Sequence, residues 1–253
     1  MQKITFIGNG NMALSIAKGL KDSFHIEVVG RDEKSLEKFE EKLGIKVEKY
    51  LLDDFNIDNK VVILCVKPLN IKEIGVKLKG KAKELYSVLA GTTLETLKAN
   101  IKADGVVRIM PNLAASVGES MSTLTGDESL KEKSCELFNS IGTTLWLGSQ
   151  KELDIATAVA GSGPAYLALV HEALCDGAVK QGIKRDDAIK ITNGLFKGFG
   201  ELIATTHPAI LKDGVMSPGG TTASGYSALE DGGVRSSFID AVEKAYKVTQ
   251  KNT

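Results

Sequence analysis

The sequence predicts an α/β fold in which a mostly parallel sheet is followed by an all-helical region. Up to about residue 150, short β-rich segments alternate with helical patterns, which is typical of repeated βαβ units around a parallel sheet. The segment Val61–Val66 is continuously apolar, as expected for a strand covered on both faces. The strand patterns stop after about Gln150. We therefore predict one domain at residues 1–150 and a second, helical domain at residues 151–253.

Both regions give specific elements. The predicted strands are Lys3 to Ile7, His25 to Val29, Lys60 to Val66, Leu85 to Leu89, Val106 to Met110, Ser122 to Leu124 and Thr143 to Leu147. Predicted helices of the first domain are Met12 to Lys21, Glu33 to Leu43 and Glu128 to Ile141. Those of the second are Ala165 to Gln181, Arg185 to Ala204, Ala223 to Leu229 and Val234 to Gln250.

One predicted helix of the second domain, Ala165 to Gln181, is apolar around most of its circumference. A helix of this kind must be buried on several sides. A helical region of only about 100 residues can hardly bury it alone. We therefore expect a partner chain, and interpret the second domain as a dimerisation domain.

Composition excludes several classes of protein. The chain has 253 residues, of which 43% are hydrophobic and 25% charged, enough for a sizeable core. Its 32 basic and 32 acidic residues cancel, so the surplus positive charge of a nucleic-acid-binding protein is missing. Uninterrupted apolar runs stay far below the ~18 residues of a membrane span, and the first residues enter a strand without a cleavable signal. The cysteines Cys65, Cys135 and Cys175 lack disulfide or zinc-ligand spacing, so we expect no metal and a cytoplasmic location.

A glycine motif follows the first predicted strand. Residues 8–13 fit the pattern G-x-G-x-x-A, in which Gly8 allows a tight turn and Gly10 lets the backbone approach a pyrophosphate. Glycine triplets also occur in ordinary turns, but the strand before and the helix after this one favour a Rossmann dinucleotide site. Free amides at the helix start would hold the phosphates. The predicted cofactor contacts here are Gly8, Asn9, Gly10, Asn11 and Met12.

The end of the second strand bears on the type of cofactor. NAD sites usually carry an acidic residue there, which holds the ribose 2′-hydroxyl. In this chain Gly30 is followed by Arg31, and an arginine suits the 2′-phosphate of NADPH. Asp32 could instead accept a hydrogen bond from the ribose, and Arg31 could be a surface residue in an ion pair. We expect NADPH as the cofactor, with NADH possible.

Three further segments close predicted strands at the carboxyl edge of the sheet, where ligands bind in such folds. The small residues Ala90 and Gly91 would leave room for a nicotinamide ring, and Met110–Asn112 closes another strand. The third segment is Val66–Pro68. It could bind a cofactor, or it could simply be a proline that ends the strand beside a surface lysine. The further predicted cofactor contacts are Val66, Lys67, Pro68 and Ala90.

Two glycine-containing segments of the second half precede helices. In the first, Ser162 could contact a substrate or simply be a helix N-cap. The second, Ser217–Thr222, combines two glycines and hydroxyls with a helix amino terminus, which favours an anion. It lacks Lys and Arg, so a small carboxylate fits better than a polyphosphate. The predicted substrate contacts are Ser162, Ser217, Gly219, Gly220, Thr221 and Thr222.

Taken together, these segments resemble the pyrroline-5-carboxylate reductase family over about Ile4 to Thr249. The glycine fingerprint is generic, whereas the Ser-Pro-Gly-Gly-Thr-Thr segment at 217–222 is close to diagnostic. The segments that carry the resemblance are residues 7–13, 66–68, 161–166, 207–213, 217–222 and 228–235.

The resemblance implies reduction of the cyclic imine 1-pyrroline-5-carboxylate to L-proline by NAD(P)H, the last step of proline biosynthesis. It also implies a homodimer or a higher homo-oligomer of dimers. Backbone amides of the Ser217–Thr222 loop would hold the substrate carboxylate, and the hydroxyl of Thr222, the candidate catalytic residue, would bond the ring nitrogen. One departure stands out: some relatives carry a Glu shortly before the residue matching His207, where this chain has Ala204–Thr206.

Two alternatives remain open from the residues alone. A related reductase of the 3-hydroxyacid type would use a helical-domain lysine, for which Lys180 is the nearest candidate. A non-catalytic NADPH-binding sensor would leave the Thr222 loop unexplained. The remaining polar candidates are interpreted as structural: His171 as a core or interface residue, His207 as a loop residue before Pro208, and Tyr166 as a core aromatic.

Overall fold

A computed structural model describes residues 2–53 and 55–251 of the chain. These residues form two compact units. The first runs up to Ser162 and also includes the carboxy-terminal residues from Lys244, and the second is Gly163–Glu243. The first unit thus extends beyond residue 150, where the strand patterns end.

Among the described residues, eight strands form one sheet with the order β3-β2-β1-β4-β5-β6-β7-β8. They are β1 (Lys3–Ile7), β2 (His25–Gly30), β3 (Glu48–Leu51), β4 (Val61–Leu64), β5 (Ala82–Ser87), β6 (Ala103–Met110), β7 (Ser120–Gly126) and β8 (Gly142–Trp146). Of the neighbouring pairs described, only β6 and β7 run antiparallel. The prediction of a mostly parallel sheet is confirmed.

The first unit also contains α1 (Asn11–Leu20), α2 (Glu33–Leu43), α3 (Ile71–Lys77), α4 (Leu94–Asn100), α5 (Lys131–Asn139) and α6 (Gln150–Ala156). Successive residues of each central strand point to opposite faces of the sheet, and each face has its own apolar cluster. In one cluster Phe6 and Ile63 pack with Ile16 of α1. In the other Ile7 and Leu64 pack with residues of α3 and α4. The central strands are therefore covered on both faces, as their continuous apolar pattern predicts.

The second unit is built from α7 (Gly163–Lys180), α8 (Arg185–Thr205), α9 (Pro208–Val215) and α10 (Thr221–Asp231). The last helix, α11 (Val234–Lys251), begins in this unit and ends among the residues assigned to the first. Within residues 163–243, the structure buries few apolar side chains, namely Cys175 and Ala188. Large apolar side chains of this unit therefore stay exposed in a single chain.

The expectation that no segment is long and apolar enough to span a membrane is corrected by the helical stretch Gln150–Lys180. By length and composition it could cross a membrane: its mean hydropathy over 18 residues is 1.4, and 17% of that window is buried. The expectation of no such segment counted only uninterrupted apolar runs, and this stretch contains scattered polar residues. Its apolar surface needs a cover that a single chain does not supply.

Candidate active site

The turn between β1 and α1 has a backbone that only glycine adopts without strain. Gly8 lies at φ +105°, and a Cβ added to it would lie 2.5 Å from the carbonyl oxygen of Cys65. Its N–H donates to the Val29 carbonyl at 2.9 Å. Gly10 caps α1, and an added Cβ there would meet no atom within 4 Å. The turn is fixed at Gly8 and leaves open space above the start of α1.

A cavity of about 410 Å³ opens over this turn, at the carboxyl ends of β1, β2 and β4. Asn11 and Met12 begin α1 beside it and Pro68 begins a 3₁₀ turn, but these side chains do not line the cavity. Ala90 lies beyond the end of β5, also outside the lining. The predicted cofactor residues that do line it are Gly8, Asn9, Gly10, Arg31, Val66 and Lys67.

Other lining residues were missed by the sequence analysis. Leu52 follows β3, and this strand was not predicted because its residues are all exposed and carry no apolar pattern. Asn70 and Glu73 lie on the 3₁₀ turn and on α3, directly after Pro68. Their position after the carboxyl end of β4 is the signal that could have identified them. Burial raises the pKa of the Cys65 thiol, so this lining residue stays neutral.

The two charged residues after β2 have different roles in the structure. Asp32 is the N-cap of α2: its Oδ1 accepts from the Ser35 backbone N–H and its Oδ2 from the Ser35 hydroxyl, each at 2.9 Å. These hydrogen bonds lower the pKa of Asp32, and the bond from the Ser35 backbone N–H has the larger effect. Arg31 is exposed, lines the cavity and has no ion-pair partner in the described part of the chain. The geometry thus favours Arg31 over Asp32 as a ligand-binding group.

The Ser217–Thr222 segment forms a turn that leads into α10. The Gly220 N–H donates to the Ser217 carbonyl at 3.0 Å, and Gly219 lies at φ +70°. The N-cap of α10 is Gly220, without a side-chain capping bond, and Thr222 is the second residue of the helix. Thr222 is therefore not the N-cap of α10. Thr222 is an exposed residue and lies in the first turn of the helix, where backbone N–H groups have no partner within the helix.

Ser162 lies in an irregular part of a longer helix. The sequence predicts a helix start at Ala165, whereas α6 continues through a π-turn at Thr157–Gly161 directly into α7. The Ser162 N–H donates to the Thr157 carbonyl at 3.1 Å, five residues back. The N-cap interpretation of Ser162 is thus wrong. Such single π-turns are frequent at functional sites.

The histidines take structural positions. His207 caps α9, its Nδ1 accepting from the Ala209 N–H at 3.3 Å. His171 Nε2 lies 2.9 Å from Asn193 Oδ1 on the neighbouring helix. Lys180 is exposed at the end of α7.

Across residues 2–53 and 55–251, no cluster of three or more His, Cys, Asp or Glu side chains could hold a metal ion.

Two family models match the chain. Residues 150–252 match "Pyrroline-5-carboxylate reductase dimerisation", and residues 3–91 match "NADP oxidoreductase coenzyme F420-dependent". The first match contains the Ser217–Thr222 turn and the second contains the glycine turn, so each candidate site lies within a matched region.

Whole-chain relatives agree with these matches. Pyrroline-5-carboxylate reductase of Glycine max is 37% identical over 96% of this chain and 93% of its own length. That of Helicobacter pylori J99 is 31% identical over 98% of both chains. The Plasmodium falciparum enzyme, crystallised with NADP bound, has a TM-score of 0.83 at 26% identity over 99% of both chains. The Streptococcus pyogenes enzyme has a TM-score of 0.85 at 31% identity over 98% of both chains. This chain belongs to the pyrroline-5-carboxylate reductase family.

Proposed function

We propose that this protein is an NADPH-dependent oxidoreductase that reduces the cyclic imine 1-pyrroline-5-carboxylate to L-proline, the last step of proline biosynthesis. The observation that carries the proposal is the turn before α10. Gly220 caps that helix through its backbone, so the first helical amides and the Thr222 hydroxyl remain available to a ligand. A small anion with a polar ring nitrogen, such as this imine, suits that set of groups.

The first unit would hold the cofactor. The start of α1, opened by Gly8 and Gly10, suits the pyrophosphate, and the exposed Arg31 suits the 2′-phosphate. Asn9 belongs to the same turn and Asn11 and Met12 begin α1, while Val66, Lys67, Pro68 and Ala90 lie at the sheet edge. When bound, NADPH supplies the hydride that reduces the imine carbon; NADH could do so without the contact to Arg31.

The second domain would hold the substrate. Backbone amides of the turn, with the hydroxyls of Ser217 and Thr221, would bind the carboxylate, and Ser162 would contribute a further hydroxyl. Thr222 would bond the ring nitrogen. A protonated imine is already electrophilic, so orientation and electrostatics supply most of the rate acceleration. The residues before His207 are Ala204–Thr206 and hold no acid, so the proposed contact to nitrogen falls to Thr222.

The matched dimerisation region supports homo-oligomerisation, and we propose a homodimer or an oligomer of such dimers. The second copy would cover the apolar surface of the helical domain, residues 151–253, which contains all of the stretch Gln150–Lys180 except its first residue. Residues 1–150 would form the cofactor domain. This arrangement needs no membrane or nucleic-acid partner, and it fits a cytoplasmic enzyme.

The direct test is NADPH oxidation followed by absorbance with pyrroline-5-carboxylate and, separately, with 3-hydroxyacid-pathway substrates. Turnover of the imine alone is expected. A reductase of the hydroxyacid type would turn over only the other substrates and would lose activity in Lys180→Ala. A sensor would bind NADPH and turn over neither.

The role of Thr222 predicts the effect of Thr222→Val, which keeps the shape and removes the hydroxyl. The ratio kcat/KM for the imine should fall by roughly 10- to 10³-fold, the range for one preorganised polar contact. NADPH affinity and melting temperature should stay unchanged, because Gly220 caps α10. Ser224→Ala, an exposed hydroxyl on the same helix, is the matched control. Unchanged efficiency in Thr222→Val would reject the catalytic role.

A further inference from the structure

Asn112 follows the carboxyl end of β6, and its side chain links two separate segments of the chain. It is 8% exposed, and its side chain forms hydrogen bonds at both ends. The Oδ1 atom accepts from the Ala114 N–H at 2.9 Å and so caps the 3₁₀ turn Leu113–Val117. The Nδ2 atom donates to the carbonyl of Ala160, in the π-turn, at 3.1 Å. The side chain therefore joins the carboxyl edge of the sheet to the segment that leads to Ser162.

The sequence after Ala160 removes the donor that its carbonyl would have in a regular α-helix. In an α-helix this oxygen would accept from the N–H of the residue four positions later. That residue is Pro164, which has no N–H. The Asn112 amide supplies the missing hydrogen bond, across 48 residues of sequence.

The first part of the segment 150–160 also forms polar contacts within the first unit, to β6 and to the start of α4. Asp154 of α6 accepts from the buried Arg108 of β6 at 2.6 Å. The Gln150 Oε1 accepts from the Leu94 N–H at 2.7 Å, at the start of the helix that follows Ala90. Residues 150–160 are thus held at both ends, and Asn112 is the link nearer to Ser162.

We propose that Asn112 is a positioning residue, which sets the place of Ser162 relative to the sheet edge at Ala90 through the Ala160 carbonyl. This inference rests on the proposed function, because it assigns Ser162 to the substrate. Both ends of the Asn112 side chain are already hydrogen-bonded within the chain, so its role is to position rather than to bind. It acts on catalysis by holding the π-turn in one position.

The test removes the donor and then restores one from the helix. Asn112→Ser keeps a hydroxyl that can cap the 3₁₀ turn but is too short to reach Ala160. The ratio kcat/KM for the imine should fall by roughly 10- to 100-fold, since small misplacements of positioning groups have effects of that size. The Kd of NADPH, measured by fluorescence titration, should change by less than about 2-fold, because the residues lining its cavity are untouched.

Rescue distinguishes this role from a structural one. Pro164→Ala returns an N–H that can donate to Ala160, so the double variant should recover most of the lost efficiency, and Pro164→Ala alone should resemble wild type. The isosteric Asn112→Asp keeps the acceptor and loses the donor, and provides a second measurement if Asn112→Ser folds poorly. A folded variant with wild-type efficiency, or a loss that Pro164→Ala does not restore, overturns the inference alone. Absence of imine turnover by wild type overturns the proposed function and this inference with it.

Discussion

The two units of the chain bury their apolar residues to different extents. In the first, central side chains such as Phe6 and Ile63 are completely buried within the unit. In the second, Leu169, Leu195 and Phe199 are 65%, 55% and 50% exposed. Leu195, Phe199 and Leu202 line one cavity together, and contiguous apolar surface of this kind is typical of an interaction site. The first unit thus buries a core of its own, whereas the second, helical unit leaves large apolar side chains exposed, in line with its match to a dimerisation region.

The helical unit also has a surface suited to close contact. A cavity of about 420 Å³ lies between α8 and α9 and is lined mainly by apolar side chains, Leu195, Phe199, Leu202 and Leu211 among them. Gly194 and Gly198, four residues apart on α8, line it as well, and a Cβ added to either would meet no atom within 4 Å. Helices gain most of their stability from tertiary packing of an apolar face. The helical unit should therefore depend on assembly much more than the first unit does.

The largest expected effect comes from placing a charge on that surface. Leu195→Asp should convert the oligomer to monomers at micromolar concentration and abolish imine reduction, because a charge cannot be buried there without a partner. NADPH binding should persist, since its cavity lies in the other unit. Light scattering and fluorescence titration measure the two properties.

The matched control is Val76→Asp, which alters an apolar side chain that is 84% exposed in the first unit. It should leave the assembly intact. A fully active wild-type monomer at micromolar concentration would contradict the comparison.

A smaller effect is expected inside the first unit. Asp154→Asn removes the carboxylate that pairs with the fully buried Arg108 at 2.6 Å. An uncompensated buried guanidinium should lower the free energy of unfolding by about 3–5 kcal/mol. In the second unit, Asp176 and Arg185 form a pair of the same length, 2.6 Å, but both side chains are more than half exposed. Asp176→Asn should therefore cost less than about 1 kcal/mol. Equal losses in urea unfolding would contradict this difference.

The smallest effect concerns cofactor choice. Arg31→Ala should weaken NADPH binding by roughly 1.5–3 kcal/mol, the value of one charge-assisted contact, and leave NADH nearly unchanged. The assembly should be unaffected, because Arg31 lies in the first unit. Lys34→Ala, an equal charge change on α2, is the control. If both cofactors lose affinity equally, Arg31 does not bind the 2′-phosphate.

Local patterns in the sequence determined most of the secondary structure. The observed bounds of β1 and α2, Lys3–Ile7 and Glu33–Leu43, are those predicted, because strong apolar periodicity and capping act over short distances. The edge strand β3 was missed because its backbone pairing with β2, rather than any apolar pattern, holds it in place. The helices α3, α4 and α6 have seven residues each, too few turns for a period to show.

The sequence by itself also identified the family, chiefly through the motif at residues 217–222. Only the tertiary structure decided which polar atoms are already occupied. It gives the Ala160 carbonyl a donor from Asn112, 48 residues away, and pairs the buried Arg108 with Asp154, 46 residues away. The physical reason is that a hydrogen bond between residues far apart in sequence depends on how the chain folds between them. No local pattern carries that information.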